Sequence, residues 1–165
     1  MQCLRIATSF LFVLATATAF AQSDAKSTFE HLNTLQGTWE GKSPDGKTVQ
    51  VVFRQTSGGS ALLSEIMGEY NMITMFHMDK DRVLMTHYCA AGNQPRMQAS
   101  ASPDGKTITF NFIDATNLSS PKVGHMQRLV LTLADADHHV QEWTFTQDGK
   151  ETKEHFELAR VKPAM

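Results

Sequence analysis

The sequence predicts one all-β domain of about ten antiparallel strands, arranged as a sandwich or as an up-and-down barrel. Short segments of alternating apolar residues follow one another through the chain, turn signals separate them at hairpin spacing, and no change in composition divides them. Asp-Gly pairs in three of these turns favour tight hairpins, because glycine readily takes the positive φ that such turns require. The predicted strand segments are Trp39–Ser43, Thr48–Gln55, Ala61–Gly68, Met72–Met78, Val83–Ala90, Arg96–Ser102, Thr107–Asp114, Gly124–Leu133, Val140–Thr146 and Lys153–Val161.

Length and charge narrow the class of protein. At 165 residues the chain fits a single domain with a sizeable core. Its 15 basic and 17 acidic residues give a net charge of −2. This balance provides no basic surface for nucleic acid or for an anionic membrane, so neither is an expected partner.

Residues 1–21 have the pattern of a secretory signal peptide. Arg5 supplies the positive charge, Phe10–Ala19 supplies the apolar stretch, and Ala19-Phe20-Ala21 fits the cleavage pattern. The apolar stretch is too short to span a bilayer. We therefore expect a periplasmic or secreted protein.

Only one cysteine, Cys89, remains after removal of this leader, since Cys3 lies within it. The exported protein therefore has no internal disulfide to stabilise it. We expect Cys89 to be a buried, inert thiol.

The lead-in at 22–34 contains a short helix by prediction. Phe29, Leu32 and Leu35 recur at intervals of three, which indicates one or two helical turns. Helical periodicity ends at Gly37.

Strand alternation assigns side chains to the two faces of the sheet. In the last strand Glu154 and Arg160 share a face with two apolar residues, whereas His155 lies on the other face. If Asp79 to Arg82 form a tight turn, one mostly apolar face contains Met72, Thr74, Phe76, Met78, Val83, Met85, His87 and Cys89. His125 shares parity with Leu129, Leu131 and Leu133. The interior is thus either a methionine-rich ligand pocket or a filled core, with His87 and His125 as polar exceptions.

Gly37-Thr38-Trp39 on the first strand and Arg160 on the last resemble the signature of the calycin superfamily, which includes lipocalins and fatty-acid-binding proteins. The wider chain looks like bacterial uncharacterised lipocalin-like domains, with a more distant similarity to nitrobindin. The resemblance implies an up-and-down barrel over residues 35–162. It also implies that Trp39 closes one end, that Arg160 packs across its ring, and that these residues and Gly37 are structural.

Members of the superfamily bind small hydrophobic molecules, and the nitrobindin branch binds haem through a histidine on a late strand. His155 is the nearest match to that histidine, but its outward parity opposes the assignment. His87 or His125 would serve better as an axial ligand in a dry pocket.

The candidate ligand-binding residues are His87, Met85, Phe76, Met72, Arg96, Asn93 and His125. In the loop before the sixth strand, Asn93 and Arg96 either orient a ligand carboxylate or phosphate, or form a polar turn with Arg96 in a surface ion pair. His138 and His139 are expected in a solvated turn beside acidic residues.

The leading functional hypothesis is an exported barrel that binds a small hydrophobic or amphipathic ligand and has no catalytic residues. One alternative is a haem or metal protein that uses His87 or His125. Another is a small enzyme on the same barrel, with His87, Cys89 and Arg96 as its polar groups. The sequence identifies no particular cofactor.

Overall fold

A computed structural model describes residues 24–43, 45–68 and 70–162, so the predicted leader at 1–21 lies outside the described residues. These residues form a closed, ten-stranded antiparallel barrel preceded by one helix, α1, at residues 24–33. The strands are β1 Gly37–Lys42, β2 Thr48–Thr56, β3 Ala61–Met67, β4 Met72–Asp79, β5 Arg82–Tyr88, β6 Gln94–Ala101, β7 Thr107–Thr116, β8 His125–Leu133, β9 His138–Gln147 and β10 Lys150–Arg160.

Each strand pairs with the next along the chain, and β1 closes the barrel against β10. The predicted β4–β5 hairpin is confirmed, because Phe76 pairs with Met85 and Thr74 pairs with His87. The ladder ends with the pair Ile73 and Tyr88, so it does not include the predicted pairing of Met72 with Cys89.

The up-and-down order gives the barrel two different ends. The capped end carries α1 and the β2–β3, β4–β5, β6–β7 and β8–β9 turns, and the open end carries the other five connections. α1 buries Ala25, Phe29 and Leu32 against the core, so it starts earlier than the spacing of its larger residues predicted. Among the residues described, no helix has both the length and the hydropathy needed to cross a bilayer.

Trp39 closes the capped end, in agreement with the resemblance. Its side chain is 1 % exposed, and its indole N–H donates to the carbonyl of Leu35 at 2.7 Å. The Arg160 guanidinium lies 4.1 Å from the centre of the indole ring, a favourable cation–π arrangement. The same guanidinium donates to the backbone carbonyls of Thr34, Gln36 and Ala136.

Gly37 is required by this closure. It has a φ of 124°, and a Cβ at this position would lie 2.9 Å from a terminal nitrogen of Arg160. A side chain at residue 37 would therefore both strain the backbone and push the guanidinium away from the indole.

The middle of the barrel is filled by side chains rather than open. The fully buried interior residues there are Phe76, Met85, Met97, Phe110, Leu129 and Leu131. Between the two interpretations of the interior, the structure supports a packed core at this level. Any binding site must therefore lie nearer an end of the barrel.

Two bulges interrupt the alternation, one at Arg96/Met97 and one at Met126/Arg128. The second bulge pairs His125 with Thr146 rather than keeping it in the row of Leu129. The parity argument for His125 is therefore wrong, although the side chain is buried.

Candidate functional site

His87 lies on β5 near the open end, in an interior row that crosses four strands. Successive strand pairs place Phe53, Ser64, Thr74 and His87 side by side. The imidazole is fully buried, its Nδ1 lies 2.9 Å from Thr74 Oγ1, and its Nε2 has no hydrogen-bond partner. Burial lowers the pKa of His87 to about 4, so the ring is neutral near pH 7.

Asn93 supplies a second buried polar atom without a partner at the same end. The Cys89 N–H donates to the Asn93 carbonyl, which continues the β5–β6 register and places Asn93 on the same sheet face as His87. The Asn93 amide nitrogen donates to the carbonyl of Gly124 at 2.8 Å, across the open end. This bond fixes the amide orientation and leaves Oδ1, a pure acceptor, unpaired and buried.

One ring contact and two hydrogen bonds connect His87 to the capped end through side chains of β9. The His87 ring lies 4.7 Å from the ring of Trp143, whose indole N–H donates to Gln141 Oε1 at 3.0 Å. Since that bond fixes the amide, Gln141 Nε2 donates to His139 Nε2 at 3.2 Å. His139 is then a neutral imidazole with its proton on Nδ1.

His139 was expected in a solvated turn, and that expectation is wrong. β9 starts at His138, so His139 is already inside the barrel and is 1 % exposed. Its ring meets that of Trp39 edge to face, with centres 4.3 Å apart. Burial, and then the charge of Arg160, lower the pKa of His139 to about 4.

Most of the exposed apolar side chains in the described part of the chain lie near the open end. Of the large hydrophobic side chains that are exposed in the described part of the chain, all except Val161 lie at or next to this end. They are Met67, Tyr70, Ile73, Tyr88, Ile113 and Val123, with Tyr70 62 % exposed. On the strands, Met67, Ile73 and Tyr88 belong to outward-facing rows, so this apolar surface lies on the outer wall beside the opening. Exposed apolar patches of this kind are typical of interaction sites.

The open end is widest beside β10. β1 pairs only with Glu157–Arg160, so the first seven residues of β10 extend past it. Glu154 is opposite Trp143 and hence belongs to the interior row, yet it is exposed, because no neighbouring part of β1 covers it. Burial, and to a smaller extent the charge of Glu154, raise the pKa of the Cys89 thiol.

Among the seven predicted ligand-binding residues, five lie in or below the upper interior, and Arg96 and His125 do not. Phe76 and Met85 are fully buried beneath His87, and Met72 is half-buried at the open end. Arg96 instead lies on the outer face, in an ion pair with Asp114. His87, Cys89 and Arg96, the three groups considered for an enzyme, therefore do not converge.

His125 and His155 are poorly placed as ligands. Both ring nitrogens of His125 have partners, the Val123 carbonyl and Gln127 Oε1. His155 is exposed and lies near Glu157 on the outer face. In the described part of the chain no three His, Cys, Asp or Glu side chains cluster as a metal site.

Sequence reasoning did not identify His139, Gln141 and Trp143 as a connected set. All three occupy alternate positions on β9, so the pattern His-x-Gln-x-Trp was visible. The burial of His139 and Gln141 was difficult to predict because these polar side chains bond to each other and to Trp143 on the same strand, and not to a group on a neighbouring segment.

A separate cleft of about 630 Å³ lies beside α1 and the β6–β7 turn. Its walls include Asp24, His31, Arg82 and Asp104. None of the predicted ligand-binding residues lines this cleft.

Comparisons with known proteins show the fold and leave the family open. No family model matches the chain, and no curated protein matches it. Several solved structures match, among them Rv2717c from M. tuberculosis, which is 15 % identical with a TM-score of 0.55. That match covers 82 % of this chain and 98 % of Rv2717c. At this identity the similarity shows a shared barrel fold only.

Proposed function

We propose that this protein is an exported, lipocalin-like barrel that binds a small hydrophobic or amphipathic molecule in the upper part of its interior. The observation that carries the proposal is the pair of buried, unpartnered atoms His87 Nε2 and Asn93 Oδ1. Buried polar atoms in folded proteins nearly always have partners. Two other buried side-chain atoms in the described residues, Asn33 Oδ1 and His139 Nδ1, also lack a partner, but they lie at the capped end, whereas His87 and Asn93 share one sheet face at the open end. A ligand with a polar group would supply partners for both.

The surroundings of these atoms suit an apolar molecule that enters from the open end. Met72, Cys89 and Phe145 belong to interior rows near this end and are only partly buried. Methionine side chains change rotamer at low cost, so they adapt to ligands of different shape. Because the middle of the barrel is packed, binding requires these upper side chains to move, while the capped end stays closed.

The calycin resemblance supports the same proposal. Its two fold-specific elements, the closed barrel and the Trp39–Arg160 contact, are present. The signal-like leader at 1–21 supports export to the periplasm or beyond, where carriers of poorly soluble molecules are useful.

A haem protein is the second candidate, because His87 offers a free Nε2 and Thr74 fixes its other nitrogen, as in many ligating histidines. The residues in place do not fit this group. His87 is fully buried and its ring centre lies 4.7 Å from that of buried Trp143, so the packed side chains leave no space for a planar macrocycle at the imidazole. This packing favours a smaller, flexible ligand.

The proposal is tested on the full chain, expressed with its own leader and purified from the periplasm. Native mass spectrometry before and after denaturation reveals any co-purified ligand, and an absorption spectrum reveals haem through its Soret band. The purified protein is then titrated with Nile red, a neutral apolar dye, and the dye is displaced with 1-decanol. Saturable binding is expected.

The variant His87→Leu removes one of the two free polar atoms and is expected to weaken decanol binding about tenfold, as loss of one buried hydrogen bond implies. His77→Leu is the matched control, because His77 belongs to the outward-facing row of neighbouring β4. It should leave binding unchanged. Failure of the wild-type protein to bind either Nile red or decanol, together with equal native and denatured masses, would overturn the proposal.

A further inference from the structure

We infer that the buried polar group of the ligand is an uncharged hydrogen-bond donor, such as a hydroxyl or a primary amide, and not a carboxylate. This inference rests on the proposed function and narrows it to one ligand class. Three features of the open end support it. They are an unpaired hydrogen-bond acceptor, a neutral histidine, and a carboxylate in the interior row with no described lysine or arginine side chain near it in the interior.

The unpaired acceptor is Asn93 Oδ1. Its orientation is fixed because Asn93 Nδ2 donates to the Gly124 carbonyl, which can only accept. A partner for Oδ1 must therefore bring a hydrogen atom. A carboxylate, which has only lone pairs to offer, would face Oδ1 with repulsion.

The neutral histidine is His87. If Nδ1 carries the proton and donates it to Thr74 Oγ1, Nε2 is an acceptor; if Nδ1 accepts from the Thr74 hydroxyl, Nε2 carries the proton and donates. A hydroxyl group satisfies either tautomer, since it donates and accepts at the same time. Since Asn93 is opposite Cys89, Asn93 and His87 are diagonal neighbours on one face of adjoining strands, a spacing that one polar group placed between them can bridge.

The charges at this end disfavour an anion. Among the described lysine and arginine side chains, every one is exposed except Arg160, which is held at the opposite end against Trp39. Glu154 is the acidic side chain of the interior row, and its charge acts on Cys89. A buried carboxylate would thus lose its hydration without gaining a cation, and it would meet a like charge at the opening.

The experiment compares three probes of equal chain length, 1-decanol, decanoate and methyl decyl ether, as competitors of Nile red on the wild-type protein near neutral pH. Decanol is expected to bind about 100-fold more tightly than decanoate, because of the anion's uncompensated desolvation. It is expected to bind about tenfold more tightly than the ether, which accepts hydrogen bonds but cannot donate one. Decanoate binding as tight as decanol, or ether binding as tight as decanol, overturns the inference.

Two variants and one control identify the residues that discriminate between the probes. Glu154→Gln removes the negative charge of the interior row and should strengthen decanoate binding about threefold without changing decanol binding. Because Glu154 is exposed, added salt should reduce this effect. Its control is Glu151→Gln on the outward row of the same strand, which should change neither affinity. Asn93→Leu should bring decanol and the ether to equal affinity.

The outcomes separate the inference from the function on which it rests. If Nile red and decanol both fail to bind the wild-type protein, the proposed function fails. If Nile red and decanol bind but the order of the probes differs from that predicted, binding stands and the donor requirement fails.

Discussion

Two buried, neutral histidines make the stability of this barrel depend on pH between about 6.5 and 4. Burial lowers the pKa of both His87 and His139 from 6.5 to about 4. As the pH falls below 6.5 the unfolded chain takes up two protons that the folded protein does not, so the free energy of unfolding decreases. Below about pH 4 both states are protonated at these sites and the decrease ends.

The magnitude follows from these values. A tenfold change in proton affinity corresponds to about 1.4 kcal/mol, so at about pH 4.5 each histidine lowers the free energy of unfolding by about 2.5 kcal/mol. Together they remove about 5 kcal/mol, which is comparable to the whole stability of a small domain. We therefore expect urea unfolding midpoints to fall steeply between about pH 6.5 and 4.5.

Urea unfolding followed by tryptophan fluorescence is the assay, carried out at a series of pH values on the wild type, His139→Gln and His155→Gln. The His139→Gln protein is expected to lose about half of the wild-type pH dependence, even if it is less stable at pH 7. His155→Gln, at an exposed position, should retain all of it. Equal pH slopes in the wild type and His139→Gln would refute the argument that burial holds this histidine neutral.

Three further predictions follow from contacts described above. Gly37→Ala is expected to lower the free energy of unfolding by about 2–3 kcal/mol in a urea titration, because position 37 has a positive φ and a Cβ there would clash with Arg160. The control Gly149→Ala has a positive φ but open space around it, so it should lower the free energy of unfolding by about 1 kcal/mol. Alkylation of Cys89 should be at least about tenfold slower in the folded protein than in urea, because burial raises its pKa; an equal rate would place the thiol in solvent. Arg96→Ala should leave the urea unfolding midpoint nearly unchanged and decanol binding intact, since Arg96 and its partner Asp114 are exposed on the outer face; weaker binding would return Arg96 to the site.

The sequence predicted the order of the strands and the β4–β5 register because these depend on local signals. Asp-Gly turns and period-two alternation act within a few residues, and one tight turn fixes every pair in its hairpin, including Thr74 with His87. The Gly37–Trp39–Arg160 closure was also predictable, but through resemblance rather than through spacing.

What the sequence could not predict depends on contacts across the barrel and on irregular strands. The bulge before Arg128 reversed the face of His125, and no local signal marked it. His139 was assigned to a turn because acidic residues precede it, and only the partnership with Gln141 and Trp143 explains its burial. Glu154 followed the predicted parity, but its exposure depends on the length of β1, since a strand of six residues cannot cover one of eleven.

The two ends of the interior differ in how accessible their unpaired polar atoms are, and this difference favours the open end for a ligand. At the capped end His139 Nδ1 also lacks a partner, but Trp39 packs edge to face on the His139 ring and Gln141 bonds to both His139 and Trp143, so a ligand there would have to displace contacts that close the barrel. At the open end His87 and Asn93 each have one bonded atom and one free atom, so a ligand only adds bonds. Binding at the open end therefore stabilises the folded protein without competing with the contacts that close the other end, and the gain grows with ligand concentration by mass action. A rise in the unfolding midpoint on addition of decanol, which in His87→Leu requires about tenfold more decanol, is the thermodynamic consequence of this arrangement.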